Sequence, residues 1–175
     1  SHYILVKTNG EMYSVGSNLY SQLGIELGEI TRISTFEKIE VPFKAGRISA
    51  SSTSNSAVAI DGQSYIWGQN IYGNLGTNNK VNVAIPTIIG NVNNIVESKV
   101  GKTHTVLRDY NGYIYLAGAN TYGQLGNGTV DESLAFNKNT RIENVLRIAS
   151  GNTYTVVMKE DGSVWGWGDY NHGNK

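Results

Sequence analysis

Asn111-Gly112-Tyr113-Ile114-Tyr115-Leu116-Ala117-Gly118-Ala119-Asn120-Thr121-Tyr122-Gly123-Gln124-Leu125-Gly126 couples a hairpin signal to a corner rich in glycine and amides. The same unit stands earlier as Asp61-Gly62 through Gly76 and as Asn9-Gly10 through Gly24. It returns, cut short, as Asp161-Gly162 through Lys175. The turn glycines Gly10, Gly62, Gly112 and Gly162 are separated by 52, 50 and 50 residues. Self-similarity at such a period marks a repeat architecture, in which each unit buries its apolar surface against the next.

One period reads as four short strands. His2-Tyr3-Ile4-Leu5-Val6-Lys7 is an apolar run of β-formers, and Met12-Tyr13-Ser14-Val15 follows it across Asn9-Gly10. These are strands B and C. Asn-Gly and Asp-Gly suit a two-residue type I′ turn with positive φ at both centres, so all four copies predict a hairpin. Strand C gives way to the glycine-rich corner, where Leu23, Leu75 and Leu125 are expected to enter the core and Asn18, Asn70 and Asn120 to bond the turn backbone. The segments after each corner, 25–40, 77–85 and 127–138, differ between copies and read as long variable loops. They lead into stretches holding Pro42 and Pro86, the two prolines of the chain. Proline cannot donate to a ladder and is confined to sheet edges, which predicts an outer strand D. A last apolar run, at 46–50, 94–97 and 145–149, is strand A and leads into the next strand B.

The order is BCD, ABCD, ABCD, ABC, or 14 strands and about three and a half units of four antiparallel strands. That is the content of β-propeller blades. The fold class is therefore all-β, one repeat domain with units at 1–52, 53–102, 103–152 and a partial 153–175. Only 25–38 could hold a helical turn.

Composition narrows the chemistry. Net charge is zero, with 14 basic and 14 acidic residues and no block of one sign, so no electrostatic footprint for nucleic acid is present. Cysteine is absent, which removes disulfides and thiolate metal sites and fits a cytosolic or a secreted bacterial protein. No apolar run approaches the roughly 20 residues of a membrane-spanning helix. Asn, Ile, Lys and Tyr usage points to a bacterial, AT-rich source.

The repeats resemble the regulator of chromosome condensation family, including its α-tubulin-suppressor-like bacterial propellers. The resemblance rests on Tyr65-Ile66-Trp67-Gly68-Gln69-Asn70-Ile71-Tyr72-Gly73-Asn74-Leu75-Gly76, on Gly118-Ala119-Asn120 through Gln124-Leu125-Gly126, and on Gly16-Ser17-Asn18 through Gln22-Leu23-Gly24. Gly101-Lys102-Thr103-His104-Thr105 matches the family's Gly-x-x-His-Thr lead-in to strand B, and Gly151-Asn152-Thr153-Tyr154-Thr155 is its altered copy. The resemblance implies a propeller, commonly of seven blades, and makes Gly16, Asn18, Gly24, Gly68, Asn70, Gly76, Gly118, Asn120, Gly126 and Gly168 structural. This chain then reads as a fragment of a longer repeat protein or part of an oligomeric propeller, with self-association or a companion fragment as the second way to complete it.

Candidate sites are few. His2 and His104 fall at equivalent repeat positions, with Asn55 and Tyr154 assigned to the same slot, so the histidines are expected to cap a turn rather than hold a metal. His172 has no evident partner. No nucleophile constellation, phosphate loop or convergent carboxylate pair occurs, so no catalytic residue, cofactor or metal is expected. Tyr13, Tyr65, Tyr115 and Trp165 share one face of strand C with Val15, Trp67, Ala117 and Trp167, and are expected to pack between blades. The three tryptophans do not stand at the lead-in that a light-sensing family member would require.

In an ABCD meander the A–B and C–D connections emerge on one face, and variable loops on a constant scaffold are where repeat proteins bind. That face carries Tyr20, Tyr72, Lys102, Tyr122, Asn152 and Tyr170 as expected protein contacts. The reading is a non-enzymatic protein-interaction scaffold, with no nucleic acid bound and no membrane insertion. A secreted bacterial inhibitor, which in this family covers β-lactamase active sites, or a surface adhesion module is the alternative. Guanine-nucleotide exchange ranks below both.

Overall fold

The computed structural model describes residues 1–169. Every regular element among them is a strand: β1 (His2–Val6), β2 (Met12–Ser17), β3 (Arg32–Ile39), β4 (Ala45–Ala50), β5 (Ser54–Ala59), β6 (Ser64–Gly68) and β7 (Val83–Ile88). The remaining ones are β8 (Ile95–Val100), β9 (His104–Asp109), β10 (Ile114–Gly118), β11 (Ser133–Lys138), β12 (Val145–Ser150), β13 (Tyr154–Lys159) and β14 (Val164–Gly168). They form four antiparallel meanders in chain order, β1-β2-β3, β4-β5-β6-β7, β8-β9-β10-β11 and β12-β13-β14. This is the BCD, ABCD, ABCD, ABC order read from the repeats. Strand A is the inner strand, because β4, β8 and β12 touch one another in turn and touch strand B (β1, β5, β9) of the preceding blade.

The hydrophobic core lies between blades rather than within them. Met12 and Ile39 of blade 1 meet Ala57 and Trp67 of blade 2. Ile66 and Leu75 of blade 2 meet Leu107, Ala117 and Phe136 of blade 3. Ile114 and Leu125 of blade 3 meet Val145, Ile148 and Val157 of blade 4. A four-stranded sheet has two faces to cover and too little chain to fold over either, so each blade depends on its neighbours.

Tryptophan seals two of these seams. Trp67 Nε1 donates to the Gln22 carbonyl at 3.2 Å and Trp167 Nε1 to the Gln124 carbonyl at 2.9 Å, each in the preceding blade. The rings lie on corner glycines: a Cβ at Gly24 would stand 2.8 Å from Trp67 Nε1, and one at Gly126 would stand 2.5 Å from Trp167 Nε1. Blade 3 has Ala117 at this position. There Phe136, from β11, fills the space and lies against Gly76.

Four sequence expectations need correction. The B–C turns are not type I′, since Gly10, Gly62, Gly112 and Gly162 have positive φ while Asn9, Asp61, Asn111 and Asp161 do not. The Lys7 amide donates to the Glu11 carbonyl and the Gly10 amide to the Lys7 carbonyl, which is a type I turn followed by a left-handed glycine. The Asn9, Asp61 and Asp161 side chains accept the amide two residues on, which holds them in the right-handed region. Pro42 lies beyond β3, in the connection to β4; Pro86 does sit in an edge strand, β7.

The C–D loops also differ from the reading. Strand D begins within the segments read as loop, so the loops run 18–31, 69–82 and 119–132 and vary in sequence but not in length. Finally, Ser54, not Asn55, shares the slot of His2, His104 and Tyr154, each opposite the glycine that ends strand C.

Candidate functional site

The A–B and C–D face is built on rigid corners. The Asn18, Asn70 and Asn120 Oδ1 atoms accept the Leu23, Leu75 and Leu125 amides at 3.0, 2.9 and 2.9 Å. Asn70 and Asn120 donate through Nδ2 to the Asn79 and Thr129 carbonyls at 2.9 Å, which draws the far limb of each loop onto its corner. Leu23, Leu75 and Leu125 are buried beneath. A buried leucine and a two-handed asparagine fix the loop base, so residues between them are presented rather than free to collapse.

Tyr20, Tyr72 and Tyr122 occupy one position on three successive corners; Tyr20 and Tyr122 are exposed and Tyr72 is half-buried. Lys102 and Asn152 are exposed on the β8–β9 and β12–β13 turns of the same face. Tyr170 lies outside the described residues, as does His172. The sequence reading missed the apolar residues around these tyrosines, Leu19, Ile71, Val81 and Val130, each about half exposed or more. A large apolar residue in an otherwise polar loop, at a position where the buried leucine has already met the core requirement, was the available signal.

Beneath the face runs a polar seam between blades. Asn55 Nδ2 donates to the Gln22 carbonyl at 2.7 Å and Thr155 Oγ1 to the Gln124 carbonyl at 2.8 Å. The histidines belong to this seam and do not cap their own turns. His2 Nε2 meets Asn55 Oδ1 at 2.7 Å, and His104 Nε2 meets Thr155 Oγ1 at 2.8 Å and Ser150 Oγ at 3.1 Å, all in the following blade. No group of three potential metal ligands occurs among the described residues.

His104 is fully buried and its Nδ1 has no hydrogen-bond partner. Burial pushes its imidazole from 6.5 down to about 4. The unfolded chain therefore takes up the proton first, and stability rises with pH between those values. Acidification from pH 6.5 toward 4 is expected to remove roughly 3 kcal/mol, read from urea unfolding across pH. His104→Asn should flatten most of that slope. A slope unchanged by the substitution would place the acid-sensitive group elsewhere.

Comparison with known proteins follows the blades. The family model "Regulator of chromosome condensation (RCC1) repeat" matches residues 61–108 and 111–158, and a second model of the same description matches 145–174. The human X-linked retinitis pigmentosa GTPase regulator is 33% identical over 89 residues, 49% of this chain and 8% of that protein. The Arabidopsis thaliana ultraviolet-B receptor UVR8 is 32% identical over 118 residues, 64% of this chain and 26% of that one. Among solved structures, human WBSCR16 superposes with a TM-score of 0.84 at 18% identity, covering 96% of this chain and 45% of its own. Yeast RCC1 (Prp20), solved bound to Kap60, gives 0.82 at 18% identity over 95% and 41%. The chain thus spans about a quarter or less of these curated relatives and under half of the solved propellers. Since the matches at 61–108 and 111–158 each start at a B–C turn and carry through to the next strand B, sequence and architecture share one register, and the chain belongs to the RCC1 repeat family of β-propellers.

Proposed function

We propose that the chain is a non-enzymatic scaffold that binds a protein through its A–B and C–D face. The carrying observation is the stepped array of exposed Leu19, Tyr20, Ile71, Tyr122 and Val130 on successive rigid corners, with Lys102 and Asn152 beside it. Aromatic and aliphatic side chains on a pre-ordered base lose little entropy on binding, which is what concentrates affinity in a few residues. A relative supports the class of partner: yeast Prp20 is solved in complex with the protein Kap60. A secreted inhibitor or adhesion module of bacterial origin would use the same face and is the alternative. Exchange activity ranks third, because no inserted wedge is evident between the repeats.

The test is capture from the native source on immobilised protein. Joint substitution Tyr20→Ala, Lys102→Ala, Tyr122→Ala and Asn152→Ala is expected to cut the retained partner on the order of tenfold. Ile60→Ser with Tyr110→Ser, on the opposite face, should not. Equal retention by all three proteins would remove the proposal.

A second reading concerns the outer faces of blades 1 and 4. Phe36 holds in β3 the place that Pro86 and Phe136 hold in β7 and β11, against the preceding blade's corner, yet it is half exposed. Val164 is exposed where its counterparts Met12 and Ile114 are buried. Both faces are thus built from blade-contact positions, which supports association with a further blade, from a longer repeat chain or else from a second copy or a companion fragment. Sedimentation of the isolated chain as a monomer at all concentrations would exclude the second copy.

A further inference from the structure

Asn-Gly occurs three times in the chain, at Asn9-Gly10, Asn111-Gly112 and Asn127-Gly128. In this pair the asparagine side chain is most open to attack by the next backbone nitrogen, because glycine puts no side chain in the way of the ring that forms. Two of the three are shielded by the fold. The Gly10 amide donates to the Lys7 carbonyl at 2.9 Å and the Gly112 amide to the Asp109 carbonyl at 3.1 Å, as the B–C turns require. Gly128 makes no hydrogen bond among the described residues, and it stands exposed with Asn127 in the third C–D loop. Of the three amides, its own is the one free to act as a nucleophile.

The surroundings of this third pair favour the reaction as well. Asn127 Oδ1 accepts the Thr129 amide at 3.1 Å, the Thr129 hydroxyl at 3.0 Å and Asn120 Nδ2 at 3.2 Å. Donors gathered on one carbonyl oxygen polarise Cγ and stand where negative charge develops as a nucleophile adds. Arg141 donates through Nε to the Asn127 carbonyl at 3.0 Å, and its guanidinium lies so close over Gly128 that an added Cβ would stand 2.5 Å from Cζ. A cation there stabilises the deprotonated amide and, afterwards, a carboxylate. The fold does not need the asparagine: Thr77 holds the same place in blade 2, where its hydroxyl accepts Asn70 Nδ2 at 3.0 Å.

We propose that Asn127-Gly128 is a self-modifying site that turns a neutral loop of the A–B and C–D face anionic. The Gly128 nitrogen gives its proton to water and bonds to Asn127 Cγ; the Cγ–Nδ2 bond breaks, and that nitrogen takes up a proton and leaves as ammonia. The product is a cyclic succinimide. Water opens the ring at either carbonyl and leaves aspartate or isoaspartate at 127, so water is consumed and ammonia released with no redox step. Aspartate keeps an acceptor for Asn120, whereas isoaspartate lengthens the backbone ahead of the exposed Val130. The chemistry requires no partner, so it stands or falls apart from the loop-face reading.

The test ages the native chain at neutral pH, and the same chain unfolded in guanidinium chloride, and maps the peptides of both by mass spectrometry. Isoaspartate is read by labelling with isoaspartyl methyltransferase. In the native protein Asn127 should convert about tenfold or more faster than Asn9 or Asn111, whose glycine amides must first break a hydrogen bond, and both aspartate and isoaspartate should form. In the unfolded chain all three amides are free, and the three sites should convert within about threefold of one another. Native conversion at Asn127 no faster than at Asn9 and Asn111, a preference for Asn127 that persists unchanged in guanidinium chloride, or aspartate formed without isoaspartate would overturn the proposal.

Discussion

Trp67→Ala is expected to cost on the order of 4 kcal/mol of unfolding free energy, a large share of what a domain of this size has. The indole is fully buried between blades 1 and 2, lies on Gly24 and donates to the Gln22 carbonyl. Alanine would leave a cavity at a seam where the other buried core residues of blade 2 are Ala45 and Ala57. Trp165→Ala is the control, since that ring is 54% exposed and should cost about 1 kcal/mol or less. Urea unfolding followed by far-ultraviolet circular dichroism reads both. Equal losses would mean that the core does not reside between the blades.

Gly118→Ala is expected to destabilise by about 3 kcal/mol or more, for a reason a helical or loop glycine would not give. Its φ is +121°, and an added Cβ would stand 2.7 Å from His104 Cα and closer still to the Thr103 carbonyl. Both contacts are backbone of the paired strand, fixed by the Gly118 to His104 register, so neither has room to move. Gly123→Ala isolates the conformational part: φ is +73° with no neighbour within 4 Å, and the cost should be about 1 kcal/mol. The same unfolding measurement separates them, and equal costs would remove the close approach from the account.

Much of this architecture was legible because the repeat writes each element several times. A hairpin turn, a corner asparagine and a buried leucine recurring in register settle strand order even where a single copy is ambiguous. What escaped reading was set by contacts between copies. Asn9-Gly10 signals a hairpin, but loop length is decided by how far Lys7 and Glu11 pair, which is not local information. Strand D was hidden inside the variable segments because its edge tolerates Pro86 in one blade and Phe136 in another. Ala117 stands where Trp67 and Trp167 stand in the flanking blades, and Phe136 supplies the missing volume from a different strand. The His2 and His104 roles were misread for the same reason, since their partners stand about 50 residues away in the next blade. At the loop face, the tyrosines were visible as repeats, while Leu19, Ile71 and Val130 became candidates only once the corners were seen to be rigid.

The claim that the blades exist to present the A–B and C–D face is tested most directly by site-specific photo-crosslinking in extract from the native source. A photoreactive phenylalanine is placed at Tyr20 or Tyr122 on that face, and at Ile60 or Tyr110 on the other. Partner adducts from Tyr20 and Tyr122 with none from Ile60 and Tyr110 are the predicted result. Adducts confined to Ile60 and Tyr110 would contradict it.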